Sequence, residues 1–230
     1  MQRGDIIMRT ITVEGMGHAS VKPDFVEVHI TLRTSHKGYK IAVDTKEVQE
    51  KVDNSTKFEK LREILANIGI KGDSVMTTDF NISTEYMRIT DTYYNEKDVF
   101  NEFLCRQNLK LEFDFDPKRV EEVLAALSGC FTHPVFCVKF TLKNRNVLEE
   151  KILRSAVQNA QRQAEILCEA SGAKLGKLIN IDYYWNNERV YSDTQFDMKM
   201  PYMPECGYIC TMEPENINFV ENAKFVWEII

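Results

Sequence analysis

The sequence predicts an α+β fold: a mainly antiparallel sheet packed by three helices, with a split βαβ (ferredoxin-like) core unit and an added αββ unit. Three observations predict it. Segments of apolar–polar alternation recur with one wet face each, the pattern of antiparallel strands. Between them lie stretches of helical spacing with recognisable start and stop residues. The order β-α-β-β-α-β from Asp24 to Lys143 is that of a ferredoxin-like unit, and a further α-β-β follows.

The first element is a short strand over Thr10–Val13. EGMGHASVKPD (14–24) comes next, with Gly15, Gly17, Pro23 and Asp24. A phosphate-cradling loop must run into a helix, whose N-terminus supplies the N–H groups and the dipole. This stretch runs into a strand instead. The four residues are therefore expected to form a structural turn, with the glycines allowing a bulge or positive φ and Pro23 at a strand entry. DFVEVHITLRT then alternates, with Val26, Val28, Ile30 and Leu32 opposite Glu27, His29, Thr31 and Arg33.

A long helical stretch is expected from Gly38 to about Ile68, with Val48, Val52, Leu61, Leu65 and Ile68 on one face and Gly69 as the stop. SVMTTDFNISTEYMR reads as a strand, ITDTYYNEKD as a polar tip, and EFLCRQNLKLEFDF as the returning strand of a hairpin. Asp116 and Pro117 open a second helix as N-cap and first-turn proline, and Gly129 ends it. PVFCVKFTLK is another alternating strand. Asn144 or Asn146 caps a third helix with Ile152, Ala156, Ala160, Ala164 and Leu167 inward, the alanines allowing close approach to a neighbour, and Gly172 closes it. LGKLINIDYYW and INFVENAKFVWEII complete the strands.

The chain is expected to be a single domain over 1–230, with sub-units 10–143 (βαββαβ) and 144–230 (αββ). Residues 186–216 lack a clear period and hold three prolines, four methionines and three tyrosines. Long irregular segments are often functional. Tyr191, Phe196, Met198, Met200, Tyr202, Met203 and Tyr208 are the candidates for an interaction arm, Met and Tyr being suited to adaptable contacts.

Composition narrows the function classes. The chain has 230 residues, 43% hydrophobic and 28% charged, with net charge −6. That charge argues against nucleic acid as a partner, since phosphates reward Lys and Arg. No window reaches the ~20 apolar residues of a membrane-spanning helix. The N-terminus shows no secretory signal, because Ile6, Ile7 and Met8 are followed at once by Arg9. A cytoplasmic location with reduced cysteines is expected, and Met8 stands as an alternative start.

No catalytic constellation emerges, and no cofactor or metal is expected. Cys206 and Cys210 form a CxxxC without a second ligand pair nearby in sequence. His29 and His36 would lie ~23 Å apart on one strand at ~3.3 Å per residue, too far to share an ion. His18, His29, His36 and His133 read as surface or capping residues. Acidic pairs at 121–122 and 149–150 read as solvated helix faces, and no serine elbow is present. A small-molecule site, the alternative to a protein-binding surface, would centre on Tyr183, Tyr184 and Trp185.

Several strings in order resemble the SIMPL-like family, a domain of unknown function whose members include periplasmic immunogenic proteins of Gram-negative bacteria. They are ITVEGMGHASVKPDFVEVHITL, LREILANIGIKGDSVMTTDFNISTEY, ILRSAVQNAQRQAEILCEASGAKLGKLINI and the terminal strand after PENI. Gly15, Gly17, Pro23 and Asp24 match the family's opening signature. The resemblance implies an α+β fold, no established reaction and self-association, so the expected partner is a homo-oligomer or another protein. The chain is expected to depart from many bacterial members in having no signal peptide, and it holds six cysteines, so a cytoplasmic place is expected over a periplasmic or cell-envelope one.

Overall fold

The computed structural model describes residues 9–37, 54–90, 96–184, 189–198 and 212–230. The elements run β1 (Thr10–Val21), β2 (Phe25–Lys37), α1 (Asn54–Asn67), β3 (Val75–Thr90), β4 (Glu96–Asp114), α2 (Pro117–Ser128), β5 (Val135–Thr141), α3 (Asn146–Ser171), β6 (Leu175–Asp182), β7 (Tyr191–Met198) and β8 (Ile217–Ile229). The strands form a five-stranded sheet, β3-β4-β2-β5-β7, and a three-stranded sheet, β1-β8-β6. This is the α+β architecture that the alternating and helical patterns predict.

The larger sheet holds the split βαβ unit. β2 and β3 each run antiparallel to β4, which lies between them, so α1 connects two parallel strands across an intervening one. One face carries Val26, Val28, Ile30, Leu32, Leu109, Leu111, Phe136, Val138 and Phe140. Leu61 and Leu65 of α1, and Val120, Val123 and Leu127 of α2, complete this core. Burying each such side chain contributes roughly 1.5–3 kcal/mol.

The helix boundaries follow the expected chemistry, except at the start of α3. Asp116 caps α2, its Oδ1 accepting the Lys118 N–H at 3.2 Å, and Pro117 takes the first turn. Gly69 (φ 77°) and Gly172 (φ 74°) occupy the left-handed region just past their helices, where a Cβ is penalised. α3 departs from the expectation of an asparagine cap: its N-cap is Arg145, whose side chain makes no capping bond, and Asn144 Oδ1 accepts the Asn146 N–H at 3.0 Å just before it. The part of the long first helix expected over 38–53 lies outside the described residues.

Three further expectations are corrected. The first strand does not stop at Val13. β1 continues through Gly15 and Gly17, which pair with Ala223 and Glu221 of β8 without a register shift. Neither glycine has positive φ, so they form no turn or bulge. Their role is packing: α3 crosses β1 so closely that a Cβ on Gly15 would lie 2.7 Å from Ala160 Cβ and closer still to the Ala156 carbonyl oxygen. On Gly17 it would lie 2.9 Å from Ile152 Cγ2, with the Ile152 carbonyl nearer again. The turn is confined to Pro23 and Asp24. The Asp24 N–H donates to the Thr141 carbonyl at 3.1 Å, and its Oδ1 accepts the Lys143 N–H at 2.8 Å.

The second correction concerns organisation. The expected division at residue 143 is replaced by two compact units that interleave along the chain. One contains 1–24, 141–193 and 214–230, and the other 25–140 and 194–213. β1 therefore joins α3, β6 and β8, because its pairing partner is the last strand. That unit's core is Val13, Ala156, Ala160, Ala164, Ala223, Phe225 and Trp227, extended by Leu148, Ile152, Val190 and Ile217. The third correction is a strand, β7, inside the segment expected to be irregular.

Gly15→Ala and Gly17→Ala are each expected to destabilise the fold by about 1–3 kcal/mol, the usual range for overpacking. Met16→Ala, whose side chain is exposed between them, should stay within about 0.5 kcal/mol of the parent. Urea denaturation followed by circular dichroism measures both. Equal stability of all three variants would contradict the packing role.

Candidate interaction surface

The outer face of the five-stranded sheet is polar and ordered by register. Glu27 lies directly opposite Glu112, and His29 opposite Lys110. Like charges facing each other across strands are destabilising, but each carboxylate also has a base two residues along its own strand. His29 Nε2 lies 3.2 Å from Glu27 Oε2, and Lys110 Nζ lies 2.6 Å from Glu112 Oε1. The result is a grid of two acids and two bases. Thr31 Oγ1 donates to Asn108 Oδ1 at 2.9 Å, and Asn108 Nδ2 donates to Asp79 Oδ2 at 3.3 Å, extending it toward β3.

Glu27 is 1% exposed, whereas His29 is 41% exposed. Burial is the first cause holding the His29 pKa below its usual 6.5; Lys139 and Lys110 push the same way, and Glu112 opposes them. The neutral imidazole is therefore favoured over the charged form in the folded chain. Among the described residues, no group of three or more His, Cys, Asp or Glu is placed to hold a metal ion.

The inner face changes character along its length. Near α1 and α2 it is closed core, but it continues past the helices onto the outer part of the β3–β4 hairpin. There Phe80 faces Gln107, Ile82 faces Cys105, and Thr84 faces Phe103. Phe80 is 53% and Ile82 62% exposed. β3 is also an edge strand of its sheet among the described residues, so an apolar face and a backbone edge without a described neighbour lie at the same place. The signal was present in the sequence, since residues 80, 82 and 86 are apolar or aromatic with period two. What the sequence does not state is how far the helices reach across the strand.

The residues expected to form an interaction arm are placed otherwise where they are described. Phe196 and Met198 turn into the core of the larger sheet, Phe196 with its ring centroid 6.1 Å from that of Phe136. Tyr191 is half-buried at the start of β7. Met200, Tyr202, Met203 and Tyr208 lie outside the described residues, as do Cys206, Cys210 and Trp185. Tyr183 packs against the Phe225–Trp227 cluster, and burial, then Glu149 and Glu221, push its hydroxyl up to about 12 against the opposing effect of Arg145. Tyr184 is exposed. The tyrosine pair is thus split between core and surface.

Among the described residues, two antiparallel sheets, three helices and a sheet edge with exposed apolar side chains define an α+β protein. The chain belongs to the SIMPL family: that family's model, described as a protein of unknown function (DUF541), matches residues 11–215. Among curated proteins, none matches the chain. No helix among the described residues is long and apolar enough to cross a membrane.

The grid carries a pH prediction. A histidine held below 6.5 in the folded state takes its proton first in the unfolded state. Stability is therefore complete above about pH 7 and declines as pH falls through 6.5 toward the folded value. His29→Gln should reduce that decline. Proton NMR should place the His29 midpoint below 6.5, and a midpoint at or above it would contradict the geometry.

Proposed function

We propose that this chain works without catalysing a reaction, as a self-associating or protein-binding α+β protein. The single observation that carries the reading is the edge strand β3, with Phe80 and Ile82 exposed on a continuation of the core face. A long unprotected edge offers a row of backbone donors and acceptors to an incoming strand. In strand addition the main-chain hydrogen bonds give affinity, and the apolar side chains beside them give specificity for the partner. The interaction surface thus moves from the 186–216 segment to the hairpin. Deleting 190–212 would remove core residues Phe196 and Met198 and would test folding rather than association.

Sedimentation velocity over a rising concentration series, with light scattering as a second measure, tests the reading. The expected outcome is concentration-dependent assembly or retention of a specific protein partner, with either weakened by Ile82→Lys. Position 82 is open enough that this change should leave the thermal midpoint nearly unaltered. A chain that stays strictly monomeric at high concentration and retains no protein partner would sink the proposal.

A further inference from the structure

We infer that the occupant of this edge is a second copy of the same chain, its β3 lying antiparallel to the first about a two-fold axis at Thr84. The inference rests on the self-associating reading above and names its partner.

Sheet edges are normally blunted by Pro, Lys, bulges or a covering element. From Val75 to Thr90, β3 contains no Pro, Gly or Lys. It has a register shift at Thr77/Asp79, where Thr78 is the extra residue. The next shift, at Glu85/Tyr86, places the extra residue, Asn101, on β4. The β3 backbone therefore runs uninterrupted from Asp79 onward.

A two-fold pairing is isologous, so each residue's partner follows from the axis alone. The acids Asp79 and Glu85 then decide the register, because like charges directly opposite are destabilising. An axis at Asp79, Ile82 or Glu85 sets carboxylate against carboxylate. An axis at Thr84 gives the longest overlap free of that opposition, Asp79 through Ile89. It sets Ser83 opposite Glu85, and Ile82 opposite Tyr86, an aromatic–β-branched pair of the favourable kind. It also sets Phe80 opposite Arg88, whose guanidinium can lie over the ring. Arg88 is charge-balanced within its own hairpin by Glu96 at 3.4 Å and Asp98 at 3.2 Å, so it approaches an apolar ring without an unmatched charge. The two five-stranded sheets would become one continuous sheet, with the open backbone groups of both edges satisfied.

Cysteine cross-linking tests this register. Partner Cα atoms in an antiparallel ladder are about 4.5–5.5 Å apart, within disulfide reach. Under mild oxidation Thr84→Cys should form a covalent dimer, with the 84–84 linkage read by peptide mass spectrometry. Asn81→Cys, which faces Met87 instead of itself, should not link at that position. The parent chain, with six cysteines of its own, is the oxidation control. Ile82→Lys should weaken dimerisation at least tenfold in sedimentation. If the parent associates but T84C gives no 84–84 linkage and I82K associates as before, this inference falls and the self-associating reading stands on another surface. A monomer that takes up an extended segment of another protein along β3 also overturns it, while keeping the protein-binding half of that reading. A parent that is monomeric and partnerless throughout, with T84C unlinked, overturns both.

Discussion

The close crossing of α3 over β1 is the constraint on which one unit of this protein depends. Ala156, Ala160 and Ala164 are fully buried on the helix, and the strand answers them with Gly15 and Gly17 instead of side chains. Removing Cβ from one side and everything beyond it from the other brings two backbones together. The contact also closes an edge. The N–H groups of Met16 and His18 donate to Asn159 Oδ1 at 3.0 Å and Ser155 Oγ at 3.2 Å on the helix. β1 is the outer strand of the three-stranded sheet, so α3 supplies acceptors that a missing neighbour strand would have given. The glycine signature near the N-terminus thus belongs to packing, and an anion on its amides is not needed to explain it.

Much of this architecture was legible because the relevant physics is local. The alternation in β2, β4, β5 and β8 marks a wet and a dry face within one segment. Asp116, Pro117 and Gly172 act on groups one to four residues away. The small inward residues of α3 could be read as a promise of close approach. What met them could not, since Gly15 and Ala156 are separated by most of the chain and an isolated GxG looks like a turn. Sheet membership failed for the same reason, because pairing of the first strand with the last leaves no mark in either. β7 was hidden differently. Val190, Ser192, Thr194, Phe196 and Met198 do alternate inward, but two of the five are polar. Ser192 is buried with its hydroxyl donating to the Glu215 carbonyl at 2.7 Å, so the strand keeps its period while losing its apolar signature.

The polar sheet face shows how charge can specify register without any ligand. Sliding β2 by one residue against β4 would turn Val26 and Val28 outward and drive Glu27 and His29 into the core. Sliding by two would keep the faces correct, and only side-chain matching resists it. The present register sets Glu27 against Glu112, which is unfavourable across the strands and is offset along them by the His29–Glu27 contact and the Lys110–Glu112 pair. With the neutral imidazole of His29 favoured, the grid holds fewer charges than its four residues suggest. The Glu27–His29 contact is thereby explained as sheet chemistry, and the weight of the functional argument passes to the surface.

That weight falls on β3 because, among the described residues, the three other edge strands are treated differently. β1 is crossed by α3, which takes its Met16 and His18 amides. β6 is interrupted by register shifts on both sides of Leu178, which bend an edge away from a flat partner, whereas β3 inserts no extra residue of its own after Thr78. β7 turns Phe196 and Met198 into its own core. On β3 the helices stop short, the backbone continues, and the side chains that would have been core remain apolar: Phe80 and Ile82 have the character of interior residues in an exterior position. An edge that retains core chemistry beyond the reach of its own helices is better explained by a surface from outside the chain, and self-complementarity about Thr84 makes a second copy the simplest candidate.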